Sequence, residues 1–107
     1  MNDKIKYDYG KPRLALVPPE SIRAIGEVMT YGVTKYYEGS WREVEPWRYR
    51  DAMMRHLVYY LDDPYSIDKE SGLPHLWHLT TNAAFLCELE ANNIAIKSSP
   101  LMKDNKK

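Results

Sequence analysis

The residues best equipped for chemistry are concentrated in the stretch Asp68-Lys69-Glu70-Ser71-Gly72-Leu73-Pro74-His75-Leu76-Trp77-His78, with Asn82 just beyond. Two of the chain's three histidines, His75 and His78, stand three residues apart there. If Pro74 opens a helix, positions i, i+3 and i+7 share a face, so His75, His78 and Asn82 form one stripe. The third histidine, His56, lies midway along an earlier apolar segment and can face that stripe. Asp68 and Glu70 enter from the connecting loop, with Asp62 and Asp63 close by. Neutral imidazoles and carboxylates are ligands for Mg, Mn, Zn or Fe ions. The positive end of the helix would also favour a phosphate. The sequence has no glycine-rich phosphate loop, nucleophile elbow or Cys–His pair. Metal-activated water is therefore the chemistry these residues allow. A plainer account has Glu70, or Asp68 with Ser71, capping the helix, and His78 bonded to backbone in the core.

Two more clusters accompany the first. In "YDYGKPRLALVPPES", Lys11 and Arg13 supply cations, and Tyr7 and Tyr9 supply flat faces beside Gly10. Such a set can hold a nucleotide, cation to phosphate and ring to base, or it can be an ordinary solvated turn. In "SWREVEPWRYR", Trp41 and Trp47 read as aromatic anchors. Arg42, Arg48, Arg50 and Arg55 form either a phosphate-binding rim or a solvated face, with Asp51 as partner for Arg48 or Arg55.

These side chains must be positioned by helices. Pro18-Pro19-Glu20 opens the first, because proline suits the first turn and Glu20 complements its positive end. Ile22, Ile25, Met29, Val33 and Tyr36 give it one apolar stripe, and the helix is predicted to end near Tyr37, before Gly39. Gly26 and Gly32 are read as permitting a neighbour's close approach. Pro46 starts a second helix over 46–62, apolar almost all round at "MMRHLVYYL" and so placed at the domain centre. The third runs from near Pro74 to about Ile96, with Leu79, Phe85, Leu86 and Leu89 as its core stripe. Ahead of all three lies an irregular arm, residues 1–17, whose run "LALV" could pair two or three residues as strand but is too short to require it.

A mainly α, three-helix domain over residues 1–97 follows, with a flexible tail at 98–107 and with oligomerisation expected to complete a helical bundle. The 107 residues suffice for one modest core. At 44% apolar and 28% charged the chain is globular. Fifteen basic and fifteen acidic residues cancel, which argues against a duplex nucleic acid or an anionic membrane as partner. No run approaches the roughly 18 apolar residues of a membrane span, and "MNDKIKYDYG" has no apolar signal core. The single cysteine, Cys87, excludes a disulfide within the chain and reads as a small buried hydrophobe. A cytoplasmic protein is expected, in the host cytoplasm if a phage encodes it.

The order of blocks matters beyond their chemistry. "KYDYGKPRLALVPPESI", "MTYGVTKYYEGSW", "RHLVYYLDD" and "DKESGLPHLWHLTTNAAFLCELE" follow one another over about residues 4–90. This series resembles the small phage and prophage proteins of the dATP/dGTP diphosphohydrolase family, a branch likened to the MazG-type all-α nucleotide pyrophosphatases. The resemblance implies an oligomeric α-helical domain that uses a divalent metal, Mg2+ or Mn2+, to split a (deoxy)nucleoside triphosphate into monophosphate and pyrophosphate. By position it assigns Asp68, Glu70, His75 and His78 to the matching block, His56 to the helix before it, and Lys11 and Arg13 to the arm. The chain departs from the pattern in lacking the Glu-x-x-Glu of MazG-type enzymes, and Leu61-Asp62-Asp63 stands where such relatives usually have Gly-Glu.

Three readings result. In the first, a hydrolase, Asp62, Asp68, Glu70 and His56 hold metal, and Glu70, His75 and His78 are catalytic. Lys11, Arg13, Arg55 and Asn82 bind the nucleotide. In the second, a non-catalytic sponge sequesters a host immune signalling nucleotide. In the third, the chain is only a structural subunit of an oligomer, which leaves the polar stripe without a role.

Overall fold

The computed structural model describes residues 9–93. Three α-helices carry the fold: α1 (Pro19–Gly32), α2 (Pro46–Asp62) and α3 (His75–Leu89). Short 3-10 turns precede α1 (Leu14–Leu16), precede α2 (Ser40–Glu43) and follow α3 (Ala91–Asn93). The described residues hold no strand; one isolated bridge joins Ile67 to Pro74. The all-α expectation is met. None of the described helices is long and apolar enough to cross a membrane.

Proline starts helices as expected. Pro18 is the N-cap of α1 with Pro19 next, and Pro46 is the first residue of α2, which spans the expected 46–62. Four local expectations need correction. The run "LALV" forms a 3-10 turn closed by Val17 N–H to the Leu14 carbonyl at 3.1 Å. Pro18 and Pro19 follow immediately and have no N–H to donate to a sheet. Helix α1 stops at Gly32, not near Tyr37, because glycine and the β-branched Val33 and Thr34 hold a helix poorly. The Thr34 hydroxyl also takes the Tyr31 carbonyl at 2.6 Å. Helix α3 ends at Leu89, passing into the turn at Ala91–Asn93 before the described residues end. Finally, a Cβ added at Gly26 or Gly32 would meet nothing within 4 Å, so neither glycine accommodates a close neighbour. The expected tail, 98–107, lies outside the described residues.

The centre of the domain is α3, not α2. Helix α3 packs against both α1 and α2, and those two do not pack on each other. The apolar circumference of α2 is instead turned outward: Met54, Val58, Tyr59 and Leu61 are all more than half exposed. In α1 the inward face runs through Ala24, Ile25, Val28 and Met29, while Ile22, Val33 and Tyr36 of the predicted stripe point out. Ala24 is the one hydrophobic residue among those described that is buried. The other buried side chains are polar, His75, Thr81 and Asn82, and all belong to α3. Cys87, expected inside, is exposed.

An aromatic clamp fixes the far end of α3. Trp41 stacks on Phe85 with centroids 4.4 Å apart, and Tyr49 leans on the same ring at 4.9 Å. The Tyr49 hydroxyl donates to the Trp41 carbonyl at 2.9 Å, tying α2 to the preceding turn. Ion pairs Arg42–Glu88 (3.3 Å) and Arg50–Glu90 (2.9 Å) flank the clamp, and Arg48 pairs with Glu45 rather than Asp51. Trp47 is no anchor: it is half exposed, with the Arg48 guanidinium over its ring at 5.3 Å.

Candidate metal centre

The site lies where α2 crosses the first turns of α3, closed by the loop between them. That loop is built on Asp68. Its backbone N–H donates to the Leu73 carbonyl and its carbonyl accepts from Gly72 N–H, both at 2.8 Å. Gly72 takes a φ of +76°, a region that penalises a Cβ. His75 N–H then donates to the Ser66 carbonyl at 3.1 Å, so the loop's ends are pinned together as α3 begins. The N-cap of α3 is Pro74, which has no capping side chain. Asp68 and Ser71 therefore organise the loop and do not cap the helix.

Ser71 is the hub of the network. Its hydroxyl donates to Asp68 Oδ2 at 2.8 Å, and the Ser71 backbone N–H reaches the same oxygen at 2.8 Å. The hydroxyl oxygen also lies 2.7 Å from His78 Nε2 and accepts from Leu73 N–H at 3.2 Å. A hydroxyl has one proton and two lone pairs, and these three partners use all of them. Because the ionised Asp68 can only accept, this network places the His78 proton on Nε2.

The three imidazoles converge as the helical spacing suggested. His56 Nδ1 and His75 Nδ1 are 2.8 Å apart. The His78 ring stacks on His56 at 4.7 Å and 13°, and Tyr59 stacks on His75 at 4.5 Å and 13°. Each of the two facing rings is thus held by a flat neighbour. One ligand atom from each of His56, Asp68 and His75 lies within 4.8 Å of the others, a spacing that suits a metal ion. Burial, with the neighbouring His78 and His75 adding to it, pulls His56 down to about 4. Burial also lowers His78, outweighing the nearby Asp68 carboxylate. The 3.7 Å approach of His78 to Asp68 is consequently not an ion pair near neutral pH. Burial alone would raise Asp68, but the two Ser71 hydrogen bonds and the neighbouring histidines hold it below its usual value. With His56 and His78 lowered and Asp68 held charged, these groups have the protonation state a cation requires.

Other expected site residues stand apart from this set. Glu70 is exposed and pairs with Lys35, which follows α1; this bond draws Glu70 down and Lys35 up. Asp62 is exposed at the last turn of α2. Asn82 is buried and donates its amide to the His78 carbonyl at 2.7 Å, back along its own helix. Arg55 is exposed, and its charge reaches His56. Lys11 and Arg13 are exposed in the arm, with no side-chain bond to the cluster among the described residues. Tyr7 lies outside those residues. The sequence reading missed Ser71 as a bridge, Tyr59 as a ring support and Lys35 as the partner of Glu70. Only Tyr59 left a signal, its i, i+3 spacing from His56. Beside the cluster, Tyr60, Pro64, Tyr65, Pro74, Leu76 and Trp77 line an open groove of about 330 Å³.

Fold and site together define an all-α domain with a histidine–carboxylate centre. A family model described as "dATP/dGTP diphosphohydrolase, N-terminal" matches residues 1–99, and the chain belongs to that family. It is also similar to a protein of Salmonella phage PMBT28 named dATP/dGTP diphosphohydrolase. The two are 33% identical over 82 residues, which is 77% of this chain and 28% of the relative. The chain thus spans less than a third of that relative's length. No solved structure matches it.

Proposed function

We propose that this chain binds a (deoxy)nucleoside triphosphate and takes part in its hydrolysis to monophosphate and pyrophosphate, with a divalent metal ion. The observation that carries this reading is the convergence of His56, Asp68 and His75 on one point. The family's name supports the substrate class. A divalent ion there supplies charge neutralisation for phosphate oxygens and a lowered pKa for water. The chain's own residues do the rest. Ser71 holds Asp68 in place and His78 in one tautomer. His78, kept neutral by burial, accepts or returns a proton through its remaining ring nitrogen. Arg55, beside His56, meets phosphate charge, with Lys11 and Arg13 of the arm as further cations. Glu70 is taken up by Lys35 and stands outside the three converging donors. The aromatic groove, with Pro74 adjacent to His75, is where a base would stack. A second copy of the chain would cover the outward apolar residues of α1 and α2 and complete the bundle.

The test is anion-exchange separation of dNTPs and NTPs after incubation with the protein and Mg2+ or Mn2+. A monophosphate product that EDTA abolishes, and that Asp68→Asn and His75→Ala lose while remaining folded, is the expected result. The missing Glu-x-x-Glu favours a second reading, sequestration without cleavage. Nucleotide retained by the protein and recovered unchanged after heating would establish that reading and refute hydrolysis.

A further inference from the structure

The nature of the donors goes further than the presence of a metal site. We propose that His56, His75 and Asp68 form a two-histidine, one-carboxylate centre selective for a transition-metal ion such as Mn2+, Co2+ or Zn2+ over Mg2+, with Glu70 and Asp62 outside the ligand set. This concerns the ion held at the site of the proposed function, but it stands whether or not the chain cleaves nucleotide.

The two Nδ1 atoms of His56 and His75 lie 2.8 Å apart. An ion about 2.0–2.1 Å from each nitrogen, with the two bonds near a right angle, sets them about 3 Å apart. The facing rings need only a small shift to share such an ion. They are held in that orientation from outside, His75 by Tyr59 and His56 by His78. The third donor is also fixed. Ser71 takes Oδ2 of Asp68 with two bonds, and Oδ1 has no hydrogen bond among the described residues.

Mg2+ is a hard ion that prefers oxygen ligands and keeps much of its water, so two imidazoles and one carboxylate suit it poorly. The same set suits the later divalent metals, whose affinity for nitrogen rises from Mn2+ to Cu2+. The carboxylate that could have made the set more acidic, Glu70, is already neutralised by Lys35. Three protein ligands leave open positions for water or a phosphate oxygen.

The experiment is direct metal binding to the tag-free chain, without nucleotide. Titration with Co2+ is followed by visible absorption, with Zn2+, Mn2+ and Mg2+ as competitors, and by calorimetry. One equivalent of Co2+ is expected, displaced by Zn2+, and by Mg2+ only at concentrations at least about 100-fold higher. His56→Gln and Asp68→Asn, each checked for helicity by circular dichroism, are expected to weaken Co2+ binding by about 100-fold or more. Glu70→Gln and Asp62→Asn are expected to leave it within about threefold. Binding lost in Glu70→Gln, Mg2+ competing on equal terms, or folded wild-type protein that takes up no Co2+ would each overturn the assignment. The His56–His75 contact would then be a plain hydrogen bond between two rings. Nucleotide cleavage sustained by Mg2+ without Co2+ uptake would refute this inference and leave the proposed hydrolysis intact.

Discussion

Replacing Ser71 with alanine should unhook the loop from α3, and the cost can be worked out from the contacts. The substitution deletes one hydroxyl that donates to Asp68 and meets His78 and Leu73 N–H. The bond to the ionised Asp68 is the strongest, about 1.5–3 kcal/mol by the usual scale, against about 0.5–1.5 for each neutral one. Asp68 retains the backbone N–H of Ser71, and its side chain is 21% exposed, so water recovers part of the loss. A net cost of about 1.5–3 kcal/mol follows, a fall in Tm on the order of 10 °C for a domain of this size. Asp68 should also titrate higher, since a Ser71 bond that lowers it has gone. Urea denaturation followed by tryptophan fluorescence measures the first effect, and carboxyl 13C NMR the second. Lys69→Ala, an exposed change in the same loop, is the control and should stay within about 0.5 kcal/mol. Wild-type stability together with an unmoved Asp68 titration would refute the hub.

Stability of the metal-free protein should fall as pH drops from 6.5 to about 4. His56 is neutral in the folded state over that window while the unfolded chain takes up a proton, so acid favours unfolding. Because the ring is only partly buried, about 1–2 kcal/mol is expected after solvent screening, read from urea midpoints in EDTA and reduced in His56→Gln, with the lowered His78 supplying the remainder. Gly26→Ala should stabilise by about 0.5–1 kcal/mol, since the helical backbone is regular there and the new methyl meets nothing. A lower Tm in that variant would point to a neighbour on the outer face of α1. Phe85→Ala should cost about 2–3 kcal/mol and shift tryptophan emission to the red as Trp41 loses its stacking partner.

Local rules found most of the elements. Proline at the first position fixed where α1 and α2 start, because its φ suits the first turn and its missing N–H costs nothing there. Helix periodicity placed His75, His78 and Asn82 on one side, and that stripe is the half-buried to buried side of α3. Proline starts and apolar periodicity read correctly as all-α, and the block order read correctly as the family. Helix ends were less legible. Gly32 holds a helix poorly and the Thr34 hydroxyl competes for the Tyr31 carbonyl, a balance that an apolar stripe continuing to Tyr36 conceals.

What the sequence determined by itself, then, rests on neighbours within one or two helical turns: the starts of α1 and α2, the shared face of the histidines, and the residue types able to bind a cation. Tertiary structure alone decided which helix is central, because the apolar circumference of α2 cannot say which side another helix will cover. It also chose among the acids. Asp68 joins His56 and His75 because Ser71 and Gly72 fold the loop back over α3, while Glu70, two residues on, turns to Lys35 from beyond α1. Contacts spanning 19 to 35 residues leave no periodic trace along the chain; they exist only once the helices have packed.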